Sequence, residues 1–127
     1  TGSYSTTGSN VFSGSQTITG SVYGNVSTLS ITSNTASMNA SNGNFFYLTL
    51  VSGSATRLQL SNVGVGQTVN LLVNQPSVGY GTIVIPSTIK QQVGNSYSAT
   101  PSASAADILT FIAFDNRTFL SAVKNLS

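Results

Sequence analysis

The chain has 127 residues, of which 39% are hydrophobic and only 5% charged, with a net charge of +2 and neither His nor Cys. Nucleic-acid binding needs clustered cations, and Arg57, Lys90, Arg117 and Lys124 are scattered; no apolar run approaches the ~18 residues of a membrane-spanning helix. The missing imidazoles and thiols exclude the Ser-His and Cys nucleophiles, thiolate metal sites and disulfides.

This length suits one domain able to bury about two-thirds of its unfolded surface. The positive mean hydropathy and the many β-branched and aromatic residues exclude disorder over residues 26–127. The polar surface is made of Ser, Thr, Asn, Gln and Gly rather than ions. It lacks the self-repulsion that keeps proteins apart, which suits close packing of identical copies.

The chain opens on a repeat. Gly-Ser recurs at Gly2-Ser3, Gly8-Ser9, Gly14-Ser15 and Gly20-Ser21, so residues 1–24 read as the hexads TGSYST, TGSNVF, SGSQTI and TGSVYG. An even period keeps equivalent side chains on one face of an extended chain. One column holds Thr6, Phe12, Ile18 and Gly24, the other Tyr4, Asn10, Gln16 and Val22. Residues 1–24 are therefore read as an arm or stalk, and residues 25–127 as a head. One arm has too little apolar surface to stand alone and would bury itself against other chains. The candidate assembly contacts are Tyr4, Phe12, Ile18 and Val22. A flexible Gly/Ser linker is the alternative, and Phe12 and Ile18 are out of place in one.

The head reads as all-β. Strands are expected over 27–33, 36–40, 45–51, 56–60, 67–74, 82–85, 107–114 and 118–126. In most of them Leu, Ile, Val, Phe or Met alternates with polar residues. Turn signals separate them: Asn42-Gly43, Ser52-Gly53-Ser54, Gly64 with Gly66, Ser77–Gly81 and Asp115-Asn116-Arg117. Residues 92–106 form the longest loop, and no helix is expected. Strands at this spacing predict a β-sandwich, jelly-roll-like, carrying the N-terminal arm.

Chemistry has little to work with. Asp107 and Asp115 are the only carboxylate side chains. On a regular strand they lie about 25 Å apart, beyond the separation of a glycosidase pair. Both are read as strand-end markers, with Asp115 opening a hairpin turn and Arg57 or Arg117 as its partner. No catalytic, cofactor-binding or metal residues are assigned. Tyr80 and Tyr97 are the candidate exposed aromatics, on loops that could stack on a sugar or anchor a partner.

The stretches TGSNVFSGSQTITGSVYGNV, NFFYLTLVSGSATRLQLSNVGVGQTVNLLVNQ and DILTFIAFDNRTFLSAVKNL resemble the repeat and terminal domain of structural proteins of marine tailed phages, cyanophages in particular. The resemblance implies a virion structural role as a fibre, spike or head-decorating protein, often trimeric, with no catalytic residues carried over. The expected function is thus a non-enzymatic virion subunit on the particle surface. Its expected partners are copies of itself, other virion proteins and a host-surface glycan. Two other classes stay open: a cellular extracellular filament built by strand addition, and a carbohydrate-binding module.

Overall fold

The structure is a computed structural model describing residues 11–126. Residues 11–25 are exposed and belong to no strand. Nine strands follow: β1 (Val26–Thr28), β2 (Ile31–Thr32), β3 (Thr35–Asn39), β4 (Phe45–Thr49), β5 (Ala55–Ser61), β6 (Thr68–Asn74), β7 (Thr82–Val84), β8 (Ala106–Ala113) and β9 (Thr118–Leu126). A single 3-10 turn spans Ala40–Asn42. No α-helix occurs among the described residues.

The strands form two sheets, one ordered β1-β4-β6-β8-β9 and the other β2-β3-β5-β7. From β3 to β8 the chain crosses to the opposite sheet after every strand. As far as β7, and apart from the β2–β3 hairpin, consecutive strands within a sheet run the same way, and β1/β4, β4/β6, β3/β5 and β5/β7 are all parallel. Each turn of this coil adds one strand to each sheet. The coil closes when β8 returns antiparallel to β6 and β9 antiparallel to β8.

The all-β class is what the structure has. The jelly-roll expectation does not describe this connectivity, because a jelly roll is built from antiparallel strands and four of the seven pairings here are parallel. The physical reason lies in the turns. Asn42-Gly43, Ser52-Gly53 and Gly64–Gly66 are turns, but they carry the chain between sheets instead of reversing it within one. Gly53 and Gly66 have φ of +72° and +83°, which side-chain-bearing residues rarely adopt. The β2–β3 hairpin turns instead on Ser33-Asn34, both at positive φ, as its two-residue loop requires.

One hydrophobic core lies between the sheets. Phe46, Leu48, Val69, Leu71, Val73, Leu109 and Phe111 enter it from the first sheet, and Ala36, Met38, Leu58 and Ile83 from the second. Register stacks like on like, with Phe46 beside Leu71 and Leu71 beside Leu109. Each fully buried large side chain contributes about 1.5–3 kcal/mol. Period-two alternation decides which residues these are, so the inward faces follow the sequence pattern throughout β3 to β8.

Candidate functional site

The connection from β7 to β8, residues 85–105, has no regular structure but is ordered. Ile89 and Thr100 are buried. Lys90 pairs with β9, donating its N–H to the Thr118 carbonyl and accepting from the Leu120 N–H. The rest of the anchoring comes from one carboxylate. Asp107 points inward from β8, beside Val73 and in phase with Leu109 and Phe111, and is only 2% exposed. Its Oδ1 accepts from the Thr100 hydroxyl (2.7 Å) and the Asn125 N–H (2.8 Å). Its Oδ2 accepts from the Tyr97 hydroxyl (2.7 Å) and the Thr100 N–H (2.9 Å).

A β-bulge provides the Asn125 contact. Ala106 pairs with Leu126 but Ile108 with Val123, so Lys124 and Asn125 together face Asp107. Asn125 takes the left-handed conformation there, with φ of +59°.

These contacts fix two protonation states. Burial works to raise the Asp107 pKa, but the donors from Asn125, Thr100 and Tyr97 outweigh it and hold the carboxyl below its ordinary 3.8. Tyr97 moves the other way. Burial, then the hydrogen bond to Asp107 and that group's charge, push the phenol well above its ordinary 10.0.

Tyr97 is half-buried, and its N–H donates to Gln91 Oε1 (2.8 Å). Its ring lines a cleft of about 290 Å³ between residues 91–98 and β9, together with Gln91, Gln92, Asn95, Ser121 and Lys124. The Lys124 ammonium stands 5.8 Å from the ring centroid and is the only charged group in the lining. Tyr97 therefore turns its hydroxyl into the protein and leaves its ring to the cleft, whereas an outward-facing loop aromatic was expected.

Tyr80 is exposed, as read from the sequence. It lines a separate cavity with Ser52, Gly53 and Thr82, so the structure does not bring the two tyrosines together. Its loop is held by buried Gln75, whose amide donates to the carbonyls of Gly81 (3.0 Å) and Thr100 (2.9 Å) and accepts from the Gly81 N–H (2.8 Å). Gly81 cannot carry a side chain, since a Cβ there would collide with the Val51 carbonyl.

Of the candidate assembly contacts, Tyr4 lies outside the described residues. Phe12, Ile18 and Val22 are exposed. The arm enters the head at the margin of the first sheet, where a Cβ on Gly24 would come within 2.7 Å of the Phe45 ring. One cross-strand row on the outer face of that sheet is apolar. Tyr47, Leu72, Ile108 and Val123 stand side by side across β4, β6, β8 and β9. With Val26 and Phe45, the first three border a shallow apolar groove of about 370 Å³. Ile108 is 39% exposed and Val123 57%. No charged residue belongs to this row.

The other charged groups form no site with Asp107. Asp115 binds Arg117 through Nε (3.0 Å to Oδ1) and Nη2 (2.6 Å to Oδ2), and both are solvent-exposed. Arg57 stands apart on β5, between Thr35 and Val84. Among the described residues no three His, Cys, Asp or Glu side chains gather as metal ligands, and no helix is long and apolar enough to cross a membrane.

Sequence reasoning missed Asp107 as an organising group and Lys124 as the partner of Tyr97. Parity was an available signal for the first, since residues 107, 109, 111 and 113 share one face. No sequence signal marked the bulge that sets Lys124 beside the cleft. No protein-family model, curated protein or solved structure matches this chain.

Proposed function

We propose that this chain is a structural protein of a tailed-phage particle, a fibre, spike or capsid-decorating subunit acting by assembly rather than catalysis. The observation that carries the reading is the uncharged apolar row Tyr47–Leu72–Ile108–Val123, beside an arm whose Phe12, Ile18 and Val22 are exposed. An exposed apolar row without charge is the kind of surface that a partner covers. The occupant is a further copy of the same chain. A trimer is the favoured state: with no charge on the row, three copies of it can gather about a threefold axis without the repulsion that would oppose them.

In this reading the particle surface is the site of action, and other virion proteins and a host-surface glycan are the further partners. The arm of residues 1–24 intertwines, and the head of residues 25–127 presents its loops outward. The head has a sandwich's two layers, with coiled rather than jelly-roll connections. The sequence resemblance to phage terminal domains and the low charge support the same assignment.

Light scattering of the intact chain beside a chain starting at Asn25 tests it. A trimer that falls to monomer on deletion is the expected result. A monomeric intact chain overturns the assembly reading. Open-ended polymers that vanish on deletion would favour a cellular filament built by strand addition, with the free edge of β1 as the acceptor.

A further inference from the structure

We infer that the cleft between residues 91–98 and β9 is a binding site for a sugar unit carrying a carboxylate. The site deepens the adhesive part of the proposed function and rests on it, and it does not depend on the oligomeric state. Its volume of about 290 Å³ is at the lower end of small-molecule sites, which suits one or two sugar rings.

The lining chemistry selects the ligand. Gln91, Gln92, Asn95 and Ser121 supply amides and a hydroxyl that both donate and accept, matching the two-way hydrogen bonding of a polyol. The Tyr97 ring offers the apolar surface on which the C–H face of a pyranose packs. Tyr97 is held at two points before any ligand arrives, its ring hydroxyl on Asp107 and its backbone N–H on Gln91. Gln91 spends its carbonyl oxygen on that bond, so its amide N–H groups are the part left to donate outward.

Charge decides between a neutral and an acidic sugar. Among the described residues Lys124 is the only charged side chain in the lining, its ammonium stands 5.8 Å from the Tyr97 ring centroid, and no acidic group pairs with it. The nearby acid, Asp107, has both oxygens occupied by the four donors described above. It stays charged but lies 2% exposed behind the Tyr97 hydroxyl, so it is not a contact open to a ligand in the cleft. A carboxylate on a sugar seated against Tyr97 would find a charge-assisted donor in Lys124.

An NMR titration of the isotope-labelled intact chain tests the site. The probes are a uronic-acid disaccharide, the same disaccharide with its carboxylate reduced to the alcohol, and sodium acetate. The expected result is saturable shifts at residues 91–98 and 120–124, with the acidic sugar binding about fivefold or more tighter than the neutral one. Lys124→Gln, a change at an exposed side chain, should bring the two sugars to equal affinity while Gln92→Ala weakens both. Equal affinity in the unaltered chain overturns the acidic preference and leaves sugar adhesion standing. Binding by neither sugar up to tens of millimolar overturns both. Acetate alone reproducing the full response at the same concentration overturns the sugar assignment.

Discussion

Asp107→Ala is expected to lower the stability of the head by about 4 kcal/mol, because four donors lose their acceptor at once. Two of these are backbone N–H groups, of Thr100 and Asn125, and neither can turn away. The Thr100 hydroxyl is buried with them, and the Tyr97 hydroxyl is tucked against the same carboxylate. Leaving a buried donor unpaired costs about 1–3 kcal/mol; local relaxation keeps the sum below four times that. Asp107→Asn preserves the shape but points an amide NH₂ at two of the donors, so it should cost about 2 kcal/mol. Thermal unfolding measures both, with a Tm drop of about 15 °C for the alanine variant. Unchanged Tm in both would mean that the carboxylate does not hold the 85–105 connection.

The same group sets how stability depends on pH. The folded-state pKa of Asp107 lies below its ordinary value of 3.8, so the unfolded chain takes up this proton first as pH falls. The contribution of Asp107 is therefore full above the unfolded value and is lost as pH falls through about 4 and past the folded pKa. Tyr97 has the opposite sign of shift and the mirror consequence. Its folded pKa lies above 10.0, so the unfolded chain ionises first, and stability falls as pH rises beyond about 10. Between these limits no imidazole or thiol exists to titrate. Denaturant melts from pH 2 to 11 should show a plateau with two falling limbs. The acid limb should flatten in Asp107→Asn. The exposed Asp115, held low by its bonds to Arg117, adds little to that limb because solvent screens the pair. An acid limb identical in the two proteins would remove Asp107 from the explanation.

Which residues face the core could be read from the sequence, because burial on one face imposes period two whatever the partner strand is doing. Phe46, Leu48, Val69, Leu71 and Val73 are inward as their alternation predicts. Strand direction could not be read in the same way. A strand half-buried in a parallel coil and one in an antiparallel sandwich carry the same pattern. Asn42-Gly43 marks a change of direction without saying whether the next strand lies beside the last or across the core from it. The register β4/β6, from Phe45 beside Asn70 to Thr49 beside Asn74, follows from the length of chain that crosses to β5 and back, which no local motif encodes.

The candidate site was legible only in pieces. Tyr97 stood out as an aromatic in a polar loop, but its orientation depends on Asp107, ten residues on, and on Gln91, six residues back. Lys124 looked like one scattered surface charge. Its position beside Tyr97 depends on the one-residue bulge opposite Asp107, which breaks the alternation that made the rest of β9 readable. Long-range geometry of this sort is set by tertiary hydrogen bonds rather than by propensity.

Ile108→Lys is expected to abolish self-association while leaving the head folded. Ile108 sits mid-row on the outer face, between Leu72 and Val123, and it is exposed, so the change spares the core. Surface substitutions of this kind usually move stability by about 0.5 kcal/mol. The effect on assembly is much larger. Contact between copies would lose a central apolar anchor, worth about 2 kcal/mol or more. Each copy would also bring an ammonium to the shared face, and two like charges at ~4 Å repel by about 4 kcal/mol at the effective dielectric of a protein surface. Together these should weaken association by more than about 100-fold. Sedimentation of Ile108→Lys alone, of Ile108→Glu alone and of their mixture separates the causes. Each should be monomeric alone, and the mixture should associate again, since opposite charges then meet across the face. Ile108→Lys that stays assembled would show that the arm alone carries the contact. Failure of the mixture to recover, with both variants folded, would mean that the face does not meet its own copy.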